Sequence, residues 1–392
     1  MKDIICIVVA GYNRPNAMSR LFKSLSKADY LGDTVDLVIS LDKGQKQKEL
    51  IKLAEEFDWK PGEKIIRAFS EKQGLRKHIL QCGDLTDEYK AVIVLEDDLT
   101  VSENYYNYVR TMVEFYNSDS RIAGISLYKH QYCVDAGAFF EPIYNGYDVF
   151  LMQYAQSWGQ CWTKSMWKGF RDWYENNIDI YETDDEIRLS HFPKNITTWS
   201  KQSWLKYYIA YVIENELFFL YPYFSQTTNH SEAGEHNQLP NCDYQVSLSQ
   251  GIYNYRLAPV EKLIKYDAFF ERIDFRLPQF DDKKVILDLY GRKRNYENGD
   301  ILISSSLLDY KLLYTWKLKL RPQELNCLKP ENGKGIYVYD MGIKEKNRGK
   351  QQDIIRTRYD IRAINYRKLL ALGVAELKSS LKNHLNQLIR KK

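Results

Sequence analysis

No stretch of the chain offers the ~18 consecutive apolar residues that a membrane-spanning helix requires, so no span is expected. Cysteine is sparse and scattered: Cys6, Cys82, Cys133, Cys161, Cys242 and Cys327 form no C-x-x-C pair. That excludes a zinc ribbon and a dense disulfide framework, and fits reduced thiols in a cytoplasm. The chain has no G-x-G-x-x-G after its first apolar run and no G-x-x-x-x-G-K-[ST] anywhere, which excludes a standard dinucleotide fold and a P-loop. Met1-Lys2-Asp3 leads straight into an apolar run, without the basic region, apolar stretch and small-residue cleavage site of an export signal. A cytoplasmic location is therefore expected. The formal net charge of +4 is too small to argue for a nucleic-acid partner.

What is present is ordinary in bulk: 44% hydrophobic and 28% charged residues suit a soluble enzyme. The 392 residues suffice for two domains, or for one with a large extension. Aromatic residues are in excess, with 31 Tyr, 16 Phe and 8 Trp. Rings that stack on sugars would give this bias, and so would a β-rich core.

Taken in order, the first half alternates buried strands with helices. Ile4–Ala10 is an unbroken apolar run closed by Gly11-Tyr12-Asn13-Arg14-Pro15, and Asn16 is placed to cap a helix carrying Met18, Leu21, Phe22 and Leu25. Val35–Leu41 reads as a second strand ended by Asp42-Lys43-Gly44. A helix follows around Lys48–Phe57, then a strand at Lys64–Phe69, then a helix opened by Gly74-Leu75-Arg76. Val92-Ile93-Val94-Leu95 is a fourth buried strand, and three carboxylates, Glu96-Asp97-Asp98, arrive together where it ends. This alternation predicts βαβ units and a mostly parallel sheet.

Ligands of open α/β sheets bind beyond the carboxyl ends of the strands. Adjacent carboxylates raise one another's pKa, and a hard cation such as Mn²⁺ or Mg²⁺ sharing phosphate oxygens would relieve that cost. The competing reading of Glu96-Asp97-Asp98 is a solvated strand-end turn. Asp42 is likewise placed to reach a ribose, and Asp42-Lys43-Gly44 is equally good turn chemistry.

Further along, a helix is expected over Asn104–Asn117, a strand over Arg121–Ser126, and an aromatic, turn-rich region over 128–150. Trp158-Gly159 could set an indole beside exposed backbone as a platform for a pyranose. Trp162 and Trp167 read as partly buried helix residues. A helix at Trp204–Glu214 and a strand at Leu217–Tyr221 lead to Thr228-Asn229-His230 and Gly234-Glu235-His236. A histidine here, His230 first, could be a third metal ligand, a diphosphate contact or an exposed loop imidazole. Past residue 255 the composition shifts to strand-like segments such as Lys284–Leu289 and Gly335–Tyr339 between polar turns. Lys344–Arg362 is highly charged and expected to be exposed. The tail from Tyr366 is an amphipathic helix with Leu370, Val374, Leu377, Leu381, Leu385 and Leu388 on one stripe. The tail could dock on the body, pair with a second copy, or lie on the inner face of a plasma membrane.

These pieces, in this order and spacing, resemble the GT-A-fold glycosyltransferases, which transfer sugars from nucleotide-sugar donors. The likeness covers the first 235 or so residues. It is nearest to bacterial family-2-like transferases of surface-polysaccharide clusters (capsule, lipopolysaccharide, exopolysaccharide) and more distant to N-acetylglucosaminyltransferase I. The resemblance implies a Rossmann-like α/β domain over residues 1–250, with a nucleotide-sugar half at 1–126 and an acceptor half at 127–250. Residues 251–392 form a β-rich and helical extension. It also implies Glu96-Asp97-Asp98 as a D-x-D-type motif, with Asp98 binding Mn²⁺ or Mg²⁺ and Asp97 approaching ribose or a bridging water. Gly11, Asn13, Arg14, Asp42, Arg76 and Glu96 would line the nucleotide pocket, and Trp158-Gly159 would face the donor sugar and acceptor. The expected partners are a UDP-linked donor and an oligosaccharide or lipid-linked glycan acceptor. One departure concerns the base: relatives often carry Trp-Asp where this chain reads Trp204-Leu205. Asp172, Glu214, Glu232 and Glu235 are the remaining candidates, unranked, and inversion or retention stays open. Two other readings stand beside this one: a sugar nucleotidyltransferase, and a catalytically silent carbohydrate-binding or scaffold protein.

Overall fold

The structure, a computed structural model, describes residues 1–182, 191–231, 243–251, 254–296, 299–348, 353–361 and 365–390. Its centre is a nine-stranded sheet. The strands of the opening half are β1 (Lys2–Gly11), β2 (Asp36–Leu41), β3 (Lys64–Ala68) and β4 (Tyr89–Glu96). Short β5 (Leu99–Val101) follows, then β6 (Ile122–Ser126), β7 (Tyr132–Cys133), β8 (Ala138–Phe139), β9 (Val149–Met152) and β10 (Gln160–Thr163). The later strands are β11 (Phe218–Pro222), β12 (Thr227–Asn229) and β13 (Lys265–Tyr266). Across the sheet the order is β13-β9-β11-β6-β10-β4-β1-β2-β3. The block β4-β1-β2-β3 is parallel throughout, as are β11 with β6 and β13 with β9, while β10 runs against both its neighbours and β9 against β11. The sheet is therefore mixed and mostly parallel. Its central strands are apolar on both faces because helices cover both.

Helices α1 (Pro15–Leu25) and α2 (Gln47–Glu56) share one face, where Phe22 stacks on Phe57 with ring centroids 4.3 Å apart. Proline at the first position of α1 gives up no hydrogen bond and presets φ. The cap is Arg14, not Asn16, which lies inside the first turn. Helix α4 (Tyr105–Tyr116) joins them through Tyr105, whose hydroxyl lies 3.3 Å from that of Tyr30. The other face carries α3 (Leu75–Gly83), α5 (Lys164–Glu182) and the helix Trp204–Glu214. Trp162, Trp167, Phe170, Trp204 and Tyr208 stack into one buried aromatic block there. Trp162, expected in a helix, belongs to strand β10; Trp167 is in the helix as expected.

The core of this sheet continues past residue 250 through Tyr266 and Phe270, and β13 itself lies beyond that expected boundary. A second core gathers Phe275, Leu287, Ile303, Trp316, Val338 and Tyr359 around a four-stranded sheet. Its strands are β14 (Val285–Asp288), β15 (Ile301–Ser304), β16 (Lys311–Lys317) and β17 (Gly335–Asp340). The charged segment after Lys344 is only partly as expected. Asp353–Ile361 is a helix whose Tyr359 is buried in the second core, its hydroxyl donating to the Leu320 carbonyl at 2.7 Å. Among the described residues no helix is long and apolar enough to cross a membrane.

Candidate functional site

Six strands of the main sheet run in one direction, so β1, β2, β3, β4, β6 and β11 present their carboxyl ends along one edge. Glu96, Asp97 and Asp98 stand at the middle of that edge. Successive strand residues alternate faces, and the register pairs Ala10 with Glu96 and Val94 with Gln160. Glu96 therefore shares a face with Gln160 and Trp162, the face covered by α5 and the helix Trp204–Glu214.

Asp97 and Asp98 are buried and Glu96 is half-buried, and Arg14 pairs with the two aspartates. Arg14 donates from Nη1 to Asp98 Oδ2 at 2.9 Å and from Nη2 to Asp97 Oδ1. The guanidinium is 27% exposed, against 3% for Asp97 and 11% for Asp98. Burial works against the charge on Arg14, but Asp97 and Asp98 more than offset it and hold its pKa above the ordinary value. Burial pushes the Asp97 carboxyl up to about 6 against the pull of Arg14. The Glu96 carboxyl rises to about 8, through burial first and the neighbouring Asp98 second. Two oxygens of the cluster, Asp97 Oδ2 and Asp98 Oδ1, are buried and accept no hydrogen bond. Buried polar atoms have a partner in the great majority of folds, so these two oxygens stand out as acceptor positions open to a further donor or cation.

Beyond Asp98 the backbone closes a second, two-stranded ladder. β12 pairs with β5, and the His230 amide donates to the Asp98 carbonyl at 3.1 Å. His230 Nε2 lies 2.8 Å from Thr100 Oγ1. His230 is thus brought beside Asp98 through its backbone, with its ring turned to Thr100. Among the described residues no three His, Cys, Asp or Glu side chains converge as a metal cage, and His230 is not gathered into one. A hard cation bound through one or two carboxylates, waters and phosphate oxygens does not need such a cage. The orphan oxygens of Asp97 and Asp98 fit that smaller requirement.

Trp158 and Gly159 reach the same edge from β10. Gly159 takes φ +97°, and a Cβ there would meet Thr227 Cγ2 at 2.8 Å. Thr227 Oγ1 donates to the Trp158 carbonyl at 2.5 Å, and the Trp158 amide donates to Gln156 Oε1 at 2.7 Å. The indole is half-buried, with Tyr244 at 4.4 Å and Tyr128 at 4.8 Å between ring centroids. It sits inside an aromatic group rather than as an open platform. Beneath it His130 is enclosed by Tyr154, Tyr221 and Phe270, and burial pushes its pKa down to about 3.

The nucleotide-side residues lie at the ends of β1 to β3. Gly11 ends β1 against Leu41, and Asn13 Oδ1 accepts from the Lys46 amide at 3.1 Å. Asp42 is buried and accepts three backbone N–H bonds, from Lys43 at 2.7 Å, Gln73 at 2.7 Å and Gly74 at 2.9 Å. It ties the end of β2 to the loop that starts α3. Arg76, in the first turn of α3, donates to the Tyr207 hydroxyl at 3.2 Å.

Two expected bases are elsewhere. Glu214 ends its helix just before β11 begins, on the opposite edge of the sheet, and accepts from Trp173 Nε1 at 3.2 Å. Asp172 is an exposed partner of Lys168 on the same helix as Trp173. Neither is brought to the acidic cluster: Glu214 ends the helix that returns the chain to the amino end of β11, and Asp172 lies in the first half of α5, which starts at that same edge where antiparallel β10 ends. Glu232 and Glu235 lie outside the described residues, as do Cys242 and His236. A cavity of about 640 Å³ also opens at that opposite edge, lined by Gln153, Ile213, Asp267, Arg272 and Lys293.

Gln160 was not among the expected site residues. It is fully buried, and neither amide atom has a hydrogen-bond partner. Its only signal in the sequence is a polar residue between Gly159 and the apolar pair Cys161-Trp162. Thr100 and Tyr207, which orient His230 and Arg76, leave no such signal.

No family model and no curated protein matches the chain. Slight likenesses to solved structures exist. S. aureus TarS 1-349 is 13% identical over 57% of this chain and 60% of that one, with a TM-score of 0.35. The same protein in complex with UDP-GlcNAc is 12% identical over 40% and 35%, with a TM-score of 0.25. Mannosyltransferase PcManGT from Pyrobaculum calidifontis, in complex with GDP-Man and Mn²⁺, is 12% identical over 44% and 46%, with a TM-score of 0.30. In each case the chain spans less than two thirds of the neighbour.

Proposed function

We propose that this chain is a GT-A-type glycosyltransferase that moves a sugar from a nucleotide-sugar donor, a UDP-sugar, to a glycan acceptor of a bacterial surface polysaccharide. The observation that carries the reading is the acidic cluster at the carboxyl edge of β4, with Asp97 Oδ2 and Asp98 Oδ1 buried and unsatisfied although Arg14 pairs with both residues. Gly11, Asn13, Arg14 and Asp42 stand where the nucleotide would lie, and Trp158 with Gly159 borders the donor-sugar side.

Asp98, with Asp97 beside it, would hold Mn²⁺ or Mg²⁺. Such a cation neutralises charge on a leaving nucleoside diphosphate. The chain's own residues account for the rest. The guanidinium of Arg14 pairs with both carboxylates, and its fork of donors suits a phosphate equally well. The Trp158-Gly159 turn, pinned through Thr227, sets backbone and indole on the sugar side of the cluster. Excluding water from this edge strengthens each of these electrostatic contacts.

Release of nucleoside diphosphate from a panel of UDP- and GDP-sugars, with and without Mn²⁺, tests the reading. Turnover of one donor, lost in Asp98→Ala, is expected; no turnover of any donor would set it aside. One observation favours a second reading. Arg14 already bridges Asp97 and Asp98, and Leu205 stands where relatives place a carboxylate, as a silent carbohydrate-binding protein of this fold would have it. That protein would bind nucleotide or glycan without turnover.

A further inference from the structure

The helix Tyr366–Arg390 follows the second core, and its apolar stripe is exposed over the residues whose side chains are described. Leu370 is 71% exposed, Leu377 66% and Leu381 64%, with Val374 between them at 44%. Of the helix residues whose side chains are described, Leu369 alone is half-buried and the rest are exposed. The helix is 25 residues long, about 37 Å at 1.5 Å per residue. Over Leu370 to Leu381, the part of the stripe whose side chains are described, the helix is therefore not docked on the chain's own body.

Charge decides between the remaining occupants. The helix carries Arg367, Lys368, Lys378, Lys382 and Arg390 against a single carboxylate, Glu376. At 100° per residue the sequence sets Arg367, Lys378 and Lys382 along one flank of the stripe and Lys368 towards the back, and the other flank carries Ser380 and His384. A second copy of this helix, packed stripe to stripe, would bring these lysines near their own kind and offers one carboxylate, Glu376, to pair with them. An anionic lipid surface meets both features: leucines enter the acyl boundary while long basic side chains reach up to the headgroups.

We propose that the helix Tyr366–Arg390 lies on an anionic lipid bilayer and holds the chain at its surface. The inference stands apart from the reading of the acidic cluster, since vesicle binding and nucleotide binding can each fail without the other.

The test is sedimentation of the full chain with vesicles of phosphatidylcholine alone and of phosphatidylcholine mixed with phosphatidylglycerol. The wild type is expected to pellet several-fold more with the anionic vesicles, and less as salt is raised. The pair Leu377→Glu and Leu381→Glu should abolish pelleting while the circular-dichroism melt stays unchanged, because neither side chain belongs to a core. The pair Lys378→Glu and Lys382→Glu should remove the preference for phosphatidylglycerol. Equal failure to pellet with both vesicle types would overturn the proposal. So would a concentration-dependent oligomer of the wild type that the leucine variant dissolves, since the stripe would then belong to a second copy.

Discussion

Arg14 Nη1 lies 2.9 Å from Asp98 Oδ2, joining the cap of the first helix to the carboxyl end of the central strand across 84 residues of sequence. The same guanidinium reaches Asp97, so one side chain balances two buried carboxylates while leaving an oxygen of each unsatisfied. Breaking a buried pair by removing one partner costs about 3–5 kcal/mol, because the other charge stays buried. Arg14→Ala is therefore expected to lose about that much stability in urea unfolding at neutral pH. Added Mn²⁺ should restore part of it by binding the folded state. Unchanged stability would mean that the cluster does not depend on Arg14.

Asp42 is a loop anchor as well as a candidate nucleotide residue. Asp42→Asn keeps the shape and removes the charge from three hydrogen bonds, two of them to the Gln73 and Gly74 amides. A loss of about 1–3 kcal/mol is expected. Hydrogen exchange should show the Gln73 and Gly74 amides exchanging faster, and unaltered exchange would contradict the anchoring role.

Gly159 takes a backbone conformation that favours glycine and sits against Thr227. Gly159→Ala should cost about 1–3 kcal/mol in unfolding free energy, from positive φ and from the contact its Cβ makes with Thr227 Cγ2. A variant as stable as the wild type would show that the turn can relax.

Gln160 carries a full desolvation cost with no hydrogen bond in return. Gln160→Leu is expected to raise stability by about 1–3 kcal/mol, measured by urea unfolding. Destabilisation would reveal a partner for the amide.

His130 sets a pH dependence. Its pKa is about 3 in the folded chain against an ordinary 6.5, because burial disfavours the charged ring. The unfolded chain binds the proton first, so this group's contribution is complete above pH 6.5 and is lost as pH falls towards 3. The slope approaches ~1.4 kcal/mol per pH unit within that window. His130→Phe should flatten the decline in urea midpoint below pH 6.5, and an identical decline would place the titrating group elsewhere.

Long, wholly apolar strands such as Val92–Leu95 were legible because burial on both faces leaves an unbroken run, and the three carboxylates at its end mark the carboxyl edge of the sheet. The four residues of β10 were not legible. Gln160-Cys161-Trp162-Thr163 has no strand pattern of its own, and forms one by pairing with β4 and β6, which are remote in sequence. Short β5 and β12 depend on each other in the same way. The Arg14 clamp was out of reach for the same reason: its partners are fixed by the sheet, not by neighbours in the chain. The sequence allows Trp158 as a platform but does not show Tyr244 against it, which comes from a segment with no periodicity to place it. Asp172 and Glu214 are candidates by residue type alone, and the antiparallel run of β10 into α5 and the return of the later helix to β11 set both away from the acidic cluster.

Calorimetric titration of UDP with and without Mn²⁺, on the wild type and on Asp98→Ala, addresses the central claim most directly. UDP should bind the wild type only when Mn²⁺ is present, and Asp98→Ala should abolish that binding while its thermal unfolding stays cooperative. Binding of UDP that ignores both the metal and the substitution would contradict the assignment of Glu96-Asp97-Asp98 as the donor site.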